Sequence, residues 1–566
     1  MHPEPANAAI AFWPDGYVLS GAKLMGRQAA GNAFLRAAVA GRQEQPLWAY
    51  TAHKSAYEIF RKLVQEIDRT AESAWLPADR LDMVAQLGTL YLPGPGLIEP
   101  ARLRLRAGPS AYSLCGVTHT TASHTIMDSL VGMLTAPVME WDAIICTSRA
   151  VVDTVRTIIA NEVDFLHWRL GSSIRITVPQ LPMIPLGVHC ADYVFTSEDR
   201  NSARQALGIS AHEVVALFVG RLSFHAKAHP HAMYLGLQAA AERTGQKIVL
   251  IQSGWFANAK IESAFKSGAA TYCPNARAIF TDGRDPNIRR QCWAAADLFI
   301  SLSDNIQETF GLTPIEAMAA GLPAVVSDWD GYKDTVRHGI DGFRIPTWMP
   351  PPPLGEIFAR RHESGIDDYD LYVGLTCQTI SVDLRSLTQH LTDLVSSPEL
   401  RHRLGDAGQR RAREAFDWPI IYKQYKALWM ELRKIRQKAQ MTSRQSISMQ
   451  ATPRAAASRM DPFQSFRHYP TELIEPTTRV SVAQNVQSNA YRDLFEHPLF
   501  TYANRFLPAP KLVGDLMLAL NSNERTIEEL SNQVGLDIGA LTLAISILAK
   551  MGLMRLRKGD PYSAGR

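Results

Sequence analysis

The chain of 566 residues is 46% hydrophobic and 20% charged, with a formal net charge of +4. This length is too great for one hydrophobic core and indicates about three domains, while the composition is that of a globular chain and excludes a fibrous one. So mild a positive charge does not by itself indicate a nucleic-acid-binding protein.

Residues 1–185 alternate short apolar runs with helix-like stretches. The runs are Ala8-Ala-Ile-Ala-Phe12, Leu47-Trp-Ala-Tyr50, Tyr112-Ser-Leu-Cys-Gly-Val-Thr118 and Ala143-Ile-Ile-Cys-Thr147. Strands separated by helices are typical of a parallel sheet. The sequence therefore predicts a first Rossmann-like α/β domain over residues 1–185.

A second series of the same kind follows over residues 186–416. Its apolar runs are Val214-Val-Ala-Leu-Phe-Val219, Ile248-Val-Leu-Ile-Gln252, Ala278-Ile-Phe280, Leu298-Phe-Ile-Ser-Leu302 and Ala324-Val-Val326. These runs are nearly continuous rather than alternating, which indicates strands buried on both faces. We therefore expect two Rossmann-like domains that face each other across a cleft.

The last third of the chain changes character. Residues 417–437 predict a helix with an aromatic stripe, and the Ser-, Gln- and Ala-rich stretch that follows predicts a flexible linker over 438–485. Within 486–566, Thr526 and Glu529 have the spacing of a capping box, which predicts a helix, and a second helix follows over 538–550. We expect a small, winged-helix-like module that binds a protein partner or presents a substrate rather than binding DNA, because its second helix has few side chains able to contact base edges.

The cysteines and the apolar runs of the chain bear on its metal sites, disulfides and location. Six scattered cysteines form no Cys-x-x-Cys pair, so neither a zinc site nor a disulfide framework is predicted. The first residues lack the basic and apolar regions of a signal peptide, and no apolar run approaches the roughly 18 residues that span a bilayer. We expect a cytoplasmic protein, peripheral at most at the inner face of the membrane.

The most informative stretch runs from Glu308 to Glu316. It sets two carboxylates around a glycine turn and a helix start, between the strand-like runs at 298–302 and 324–326. In open α/β sheets, this end of the strands is where ligands bind. We therefore expect a ligand site at this turn.

Residues 210–430 resemble the nucleotide-binding domain of retaining GT-B glycosyltransferases, family 4. The matching stretches are Phe218-Val-Gly-Arg-Leu-Ser with Lys227, Ala294-Ala-Ala-Asp-Leu-Phe-Ile-Ser, Glu308 to Gly321, Ser327-Asp-Trp-Asp-Gly-Tyr-Lys-Asp and Asp341-Gly-Phe-Arg. The resemblance implies that residues 1–185 bind the acceptor and 186–416 the nucleotide-diphosphate sugar. It also implies that the helix at 417–437 crosses back to the first domain.

The resemblance assigns roles to the charged residues. Arg221 and Lys227 would hold the diphosphate and offset the charge that builds on it as the sugar departs, although two solvated cations in a surface loop are the structural alternative. Glu308 would contact the donor sugar, and Glu316 the ribose. Glu316 also completes a capping box with Thr313, which leaves a structural role for it open.

Five further residues are expected to bind the donor through their positions. The amides of the turn would cradle a phosphate at a helix N-terminus, and the strand near Thr281 would bind the base. Gly26, in a loose glycine-rich turn with Gly21, either contacts the diphosphate or acceptor or only caps a helix. The residues of the amide turn are Phe310, Gly311 and Leu312.

Two residues bear on the chemistry. His119, at a strand end in the first half, would face the sugar hydroxyl and the leaving phosphate by resemblance, although a lone His there is more often structural. Asp328-Trp-Asp330 fits an Asp-x-Asp metal motif, but the family binds its donor without metal, so we expect no metal and no cofactor. No carboxylate nucleophile is evident, which favours a front-face reaction over a covalent intermediate.

We therefore expect a retaining, metal-independent hexosyltransferase that uses a nucleotide-diphosphate sugar. Its acceptor, a hydroxyl of a saccharide, lipid or protein, is not specified by the sequence. The alternatives are a hydrolase or epimerase of the same fold that acts on a nucleotide sugar, and a non-catalytic regulator that senses one.

Overall fold

The computed structural model describes residues 7–19, 26–441, 452–484, 486, 490–521 and 523–558. The chain divides into two compact units, Met1–Ala456 and Ala457–Arg566. Gly21 and the linker segment 442–451 lie outside the described residues.

In the described part of the first half, six strands form one parallel sheet ordered β3-β2-β1-β4-β5-β6. The connections place a topological switch point between β1 and β4, where open α/β sheets bind ligands. The strands are β1 (Ala9–Ala11), β2 (Leu47–Thr51), β3 (Ser73–Pro77), β4 (Thr89–Tyr91), β5 (Ser113–Val117) and β6 (Ala143–Ile145). The helices are α1 (Gly26–Ala40), α2 (Lys54–Ile67), α3 (Leu81–Leu87), α4 (Ile98–Arg104), α5 (His124–Gly132) and α6 (Arg149–Leu170).

The second half repeats this arrangement with the order β12-β11-β10-β7-β8-β9, and its switch point lies between β7 and β10. Every neighbouring pair is parallel. The strands are β7 (Val214–Val219), β8 (Ile248–Gly254), β9 (Ala276–Asp282), β10 (Leu298–Ser301), β11 (Ala324–Ser327) and β12 (Gly342–Ile345). The helices are α7 (Ser197–Ala206), α8 (His231–Thr244), α9 (Ala259–Tyr272), α10 (Pro286–Ala295), α11 (Leu312–Ala319) and α12 (Tyr332–Thr335).

The sequence accounts for these buried strands. All residues of β7, β8, β10 and β11 are buried, as the continuous apolar runs predict. Hydrophobic residues from both faces of the second sheet form two separate core clusters, one on each side. The predicted fold class, two Rossmann-like α/β domains, is confirmed.

An insertion follows β12 that the sequence did not predict. A short antiparallel pair, β13 (Thr347–Trp348) and β14 (Ser381–Val382), encloses the helices α13 (Glu356–Glu363) and α14 (Tyr369–Gln378). The sequence has four consecutive prolines at 350–353 and predicted neither a helix nor a strand in this segment. The insertion matters for the site, because α14 packs over the loop that follows β7: the Cys377 thiol lies 3.6 Å from the carbonyl oxygen of Phe224.

The second half ends with α15 (Leu384–Ser396), α16 (Pro398–Arg411), a π-helical turn (Ala412–Phe416) and α17 (Trp418–Met441). Helix α17 packs into the core of the first domain, where Tyr425 and Trp429 surround Phe34 and Tyr91. The chain passes between the two domains near Val188 and again near Trp418. The Trp418 amide donates a backbone hydrogen bond of 3.0 Å to the Val188 carbonyl oxygen. The two domains are thus joined by two adjacent strands of chain.

The second unit contains a three-stranded antiparallel sheet ordered β16-β15-β17. Its elements are β15 (Arg479–Val482), β16 (Arg525–Thr526), β17 (Met554–Arg557), α18 (Pro462–Ser465), α19 (Ala490–Glu496), α20 (Pro498–Thr501), α21 (Pro510–Ala519), α22 (Ile527–Val534) and α23 (Ile538–Lys550). The predicted capping box is confirmed, since Thr526 and Glu529 each bond the other's backbone amide.

The predicted C-terminal boundary of the linker is wrong. The linker predicted over 438–485 contains β15, whose Val480 is fully buried among the helices of the second unit. Ser, Thr and Arg flank the two valines of this strand, so its apolar content is too low to stand out from the polar stretch before it. The winged-helix-like character of the module stays a prediction.

Among the described residues, no single helix is long and apolar enough to cross a membrane. One pair, α22 and α23, meets the length and composition criteria only when taken together, with a bend of 112° between its helices.

Candidate functional site

The loops that follow β7 and β10 meet at the switch point of the second sheet. Because parallel neighbours end at the same edge, Lys227 of the first loop and Glu308 of the second come together and form an ion pair. The side chains are only 24% and 11% exposed, respectively. The structure thus joins two residues that are separated in the sequence by three helices and three strands, from α8 to β10.

The pair determines the ionisation of both groups. Burial alone would lower the pKa of Lys227, but the Glu308 carboxylate raises it above its ordinary value. Burial raises the pKa of Glu308, whereas the Lys227 ammonium and the amides of Thr309 and Phe310 lower it. The net result is a lowered pKa. Both residues are therefore charged at neutral pH.

Arg221 is held in a different way, by neutral partners. Its guanidinium donates to the carbonyl oxygen of Ala226 at 2.9 Å and to the side-chain oxygen of Gln307 at 3.0 Å. The Gln307 amide nitrogen in turn donates to the hydroxyl of Tyr369 in the insertion at 3.1 Å. Among the described carboxylates, none lies within ion-pair distance of Arg221, so its positive charge is oriented without being neutralised.

The amide turn at the start of α11 is fixed by close backbone packing. Gly311 has φ +82°, and a Cβ there would lie 2.0 Å from the ring of Tyr332. Phe310 is buried in the core, so only its backbone faces the site, and Leu312 is the first helical residue. The amides of Thr309 and Phe310 point toward the Glu308 carboxylate, which places an anion at this helix start.

The capping-box alternative for Glu316 is wrong. Helix α11 begins at Leu312 with Gly311 as its N-cap, and no side chain caps it. Glu316 therefore lies one turn inside the helix. Burial raises the pKa of Glu316, opposed by the facing Tyr193 hydroxyl and by Arg289. The helix starts two residues before the position that the local pattern indicated, where Gly311 packs against Tyr332.

Thr281 lies near the end of β9, at the same edge of the sheet as Arg221 and Glu308. Its hydroxyl lies 3.4 Å from the thiol of Cys292 on α10. The Thr281 side chain is therefore directed toward α10. A nucleotide base near Thr281 would be bound by the backbone at the end of β9 instead.

His119 follows β5 and lies beside the amide turn of the second domain. The Thr309 hydroxyl donates to the His119 carbonyl oxygen at 3.1 Å. Burial, with a smaller effect of the Arg27 guanidinium, lowers the pKa of the His119 ring from 6.5 to about 4. The imidazole is therefore neutral at neutral pH. One ring nitrogen donates to the backbone carbonyl of Pro93, which leaves the other able to accept a hydrogen bond.

Gly26 is the first residue of α1, and a Cβ built there would meet nothing within 4 Å. Close packing instead constrains Gly31, where a Cβ would lie 2.1 Å from the carbonyl oxygen of Gly16. The structure thus gives no steric reason for a glycine at position 26, while the neighbouring Arg27 is close enough to His119 to lower its pKa.

The two acids of the Asp-x-Asp pattern diverge. Asp328 lies 3.4 Å from the guanidinium of Arg344, whereas Asp330 lies 3.3 Å from the hydroxyl of Ser148 in the first domain. In the described part of the chain, no three His, Cys, Asp or Glu side chains converge as metal ligands would. Metal independence stays a prediction.

Three residues of the site were not predicted from the sequence, Gln307, Tyr369 and Ser148, and Asp330 was named only as part of an Asp-x-Asp pattern. Gln307 precedes Glu308 in the predicted turn, so its position alone could have indicated a role. Tyr369 lies in the insertion, and Ser148 and Asp330 are 182 residues apart, which no local pattern reveals.

The comparison with protein families locates the site within a known domain. Residues 199–348 match the family model of glycosyl transferases group 1. Arg221, Lys227, Glu308 and Glu316 all fall inside the matched segment. The insertion with Tyr369 and the whole first domain lie outside it.

Two curated relatives are similar over part of their length. The chain is 32% identical to the D-inositol 3-phosphate glycosyltransferase of Mycobacterium tuberculosis over 149 residues, which are 26% of this chain and 30% of that protein. It is 26% identical to spore coat protein SA of Bacillus subtilis over 227 residues, 39% of this chain and 50% of the relative. The chain thus spans at most half the length of these relatives.

Among solved structures, that of HepE from Anabaena in complex with UDP and glucose has a TM-score of 0.45 and 16% identity, and the match covers 72% of this chain and 96% of HepE. A glycosyltransferase from Rickettsia africae has a TM-score of 0.48 and 11% identity over 75% of this chain and 99% of that chain.

Proposed function

We propose that the protein transfers a sugar from a nucleotide-diphosphate sugar to a hydroxyl acceptor, with retention of the anomeric configuration and without a metal ion. One observation carries the proposal: Arg221, Lys227 and Glu308 come together at the switch point of the second sheet. All three lie within the segment that matches the glycosyltransferase family model.

The two cations suit different parts of the diphosphate. Arg221 is oriented by Gln307 and Tyr369 and forms no ion pair with a described carboxylate, so its charge remains available to a leaving phosphate. Lys227 is already paired with Glu308. A phosphate that binds Lys227 would share it with the carboxylate, which then becomes available to accept hydrogen bonds from sugar hydroxyls.

The acids near the site favour a front-face reaction over a covalent one. Glu308 is held by Lys227 and by two amides. Asp330, which faces Glu308, has its pKa raised to about 8 by burial first and by Glu308 second, so it is neutral at pH 7 and a poor nucleophile. The departing diphosphate would then accept the proton of the incoming hydroxyl.

The neutral ring of His119 supports a role in binding the sugar rather than in carrying a proton. With a pKa of about 4, it is available to bind a hydroxyl over the whole neutral range. Glu316, inside α11 beneath Tyr193, would accept hydrogen bonds from the ribose. The acceptor would bind to the first domain, and the second unit would present a substrate or bind a protein partner.

A product assay tests the proposal. The full-length protein is incubated with UDP-, GDP- and ADP-hexoses, with saccharide, lipid and peptide acceptors, in the presence and absence of EDTA. The proposal predicts acceptor-dependent release of nucleoside diphosphate that EDTA does not abolish, and an NMR coupling constant of the product that shows retention. Release without acceptor would instead identify a hydrolase, and binding without turnover would identify a sensor.

A further inference from the structure

Three consecutive polar residues are buried in the loop that follows β10. They are Ser303, Asp304 and Asn305, each at most 5% exposed. A buried polar side chain is costly unless it is hydrogen-bonded. The partners of these three side chains therefore indicate why polar residues occupy buried positions here.

Each of the three side chains bonds the main chain of the loop that follows β7, which carries Lys227. The Ser303 hydroxyl donates to the Lys227 carbonyl oxygen at 3.2 Å, and Oδ1 of Asp304 accepts from the amide two residues further on at 3.1 Å. The Asn305 side chain donates to the carbonyl oxygen two residues before Lys227 at 2.6 Å. The two outer partners are His225 and His229. The loop is thus held at Lys227 and on both sides of it.

Asn305 also bonds the turn that carries Glu308. Its side-chain oxygen accepts from the Gln307 amide at 2.9 Å, and its main-chain oxygen accepts from the Glu308 amide at 3.2 Å. The indole N–H of Trp329, in the loop after β11, donates to the same main-chain oxygen at 3.0 Å. One buried residue therefore joins three loops at the carboxyl edge of the second sheet.

The partners of Asn305 require an amide side chain in one orientation. The His225 carbonyl can only accept a hydrogen bond, and the main-chain amide of Gln307 can only donate one. The side-chain nitrogen must face His225 and the oxygen must face Gln307, which is the arrangement found. Alanine at this position would break both bonds, and aspartate would set an oxygen against the His225 carbonyl.

The bonds of Asn305 lead to all three charged groups of the candidate site. The Glu308 amide bonds Asn305 directly, and Gln307 accepts from the Arg221 guanidinium at 3.0 Å. Lys227 follows two residues after the carbonyl that the Asn305 side chain holds. Because Asn305 is buried, it would act on a ligand through these groups rather than by contact.

We propose that Asn305 is a positioning residue: its side chain sets the place of Lys227 and, through Gln307, of Arg221, so that both cations meet one diphosphate. The inference rests on the proposed function and adds to it a residue that touches no substrate. Asn305 then contributes to the binding of the phosphates and not to the binding of the nucleoside.

The phosphate-dependent part of the nucleotide affinity tests this. For the full-length protein, isothermal titration calorimetry gives Kd for UDP, GDP and ADP, and saturation-transfer NMR gives Kd for uridine, guanosine and adenosine. We expect Asn305→Ala to raise Kd for the diphosphate that binds most tightly by about tenfold, and to leave Kd for its nucleoside unchanged. A merely structural role would weaken the binding of both ligands alike and would overturn the proposal.

A triple variant separates positioning from other effects of Asn305. The Arg221→Ala/Lys227→Ala protein lacks the cations that Asn305 positions, so adding Asn305→Ala should change Kd for the diphosphate by less than about twofold. A further tenfold loss in that background would overturn the proposal, as would an unchanged Kd in the single variant Asn305→Ala. An Arg221→Ala/Lys227→Ala protein that binds the diphosphate like the unsubstituted protein would overturn the proposed function, and this inference with it.

Asn7→Ala is the matched control. Asn7 is also buried, and its side chain donates to the Arg42 carbonyl oxygen at 3.1 Å. It precedes β1 and so lies at the amino edge of the first sheet, away from the carboxyl ends of the strands; its variant should keep both Kd values. Should Asn305→Ala fail to fold, Ser303→Ala decides in its place. It removes the bond to the Lys227 carbonyl and should raise Kd for the diphosphate alone by about threefold, and an unchanged value would overturn the proposal.

Discussion

Lys227 and Glu308, 81 residues apart in the sequence, form a largely buried ion pair at the carboxyl ends of β7 and β10. The pair lies beside Arg221, which is oriented by neutral groups instead. The contrast distinguishes Lys227, which is ion-paired, from Arg221, which forms no ion pair among the described residues and is therefore able to pair with a ligand. It is the feature from which the proposed donor site follows.

Breaking the pair should destabilise the fold. Removing one partner of a buried pair leaves an uncompensated charge, so we expect Glu308→Gln to lower the free energy of unfolding by about 3 kcal/mol. The double variant Lys227→Met/Glu308→Gln should lose less than the sum of the single variants. Urea denaturation followed by circular dichroism measures both.

The exposed pair Lys266 and Glu262, 2.7 Å apart on α9, provides the control. Its side chains are 54% and 42% exposed, so Glu262→Gln should cost under about 0.5 kcal/mol. An equal cost for both pairs would contradict the burial argument for Lys227 and Glu308.

Gly331 should tolerate no side chain. Its φ is −64°, so alanine causes no backbone strain, but a Cβ would lie 2.4 Å from Cα of Phe310 and 2.9 Å from the Thr309 carbonyl oxygen. We expect Gly331→Ala to lower the free energy of unfolding by about 1–3 kcal/mol and to displace the amide turn. Gly355→Ala, with nothing within 4 Å of its Cβ, should be close to neutral by thermal shift.

The partly buried ring of His119 should make the protein less stable in acid. Because its pKa falls from 6.5 to about 4 on folding, the unfolded chain binds more protons between these values, and stability decreases as the pH falls through this window. We expect His119→Asn to reduce that loss by roughly 2 kcal/mol, allowing for partial exposure.

Unfolding midpoints at pH 4.5 and pH 7 measure the effect of His119→Asn. The exposed His212 is the control, and His212→Asn should leave the difference between the two midpoints unchanged. A His119→Asn protein with the acid sensitivity of the unsubstituted protein would disagree with a buried neutral ring.

The affinity for nucleotide should depend on the ionisation of Glu316. Burial raises the pKa of Glu316 above 4.5, and a carboxylate accepts hydrogen bonds from ribose hydroxyls better than a carboxylic acid does. We therefore expect the affinity for a nucleoside diphosphate to increase as the pH rises through this raised pKa. Glu316→Gln should raise Kd about tenfold and remove the dependence.

Isothermal titration calorimetry with UDP, GDP and ADP at pH 5 and pH 8 measures this, with Glu262→Gln as the control. A Glu316→Gln protein that binds each nucleotide like the unsubstituted protein would remove Glu316 from the ribose site.

The sequence predicted the fold well where apolar runs are long and failed where structure depends on distant packing. The continuous runs at β7, β8 and β10 indicated buried parallel strands. The helices α13 and α14 went unpredicted because the prolines at 350–353 precede them and neither helix has a wholly apolar face. The polar strand β15 was taken as linker for a related reason.

Within the site, the turn between two strand-like runs indicated Glu308 and the family resemblance indicated Lys227, but local spacing misjudged the start of α11. Thr313 and Glu316 have the spacing of a capping box, yet the packing of Gly311 against Tyr332 sets the helix start two residues earlier. The contact of Ser148 with Asp330 links two domains, and nothing in either local segment indicates its partner. Such tertiary contacts become visible only once the two sheets are placed.

The central claim is that Arg221 and Lys227 bind the diphosphate of the donor and stabilise its departure. The most direct measurement is kcat for sugar transfer in Arg221→Ala and Lys227→Ala, with Lys266→Ala as the control. Loss of a group that stabilises the leaving phosphate predicts a decrease in kcat of about 10²–10³-fold for the first two and no change for the control. Unchanged transfer in Arg221→Ala and Lys227→Ala would contradict the account.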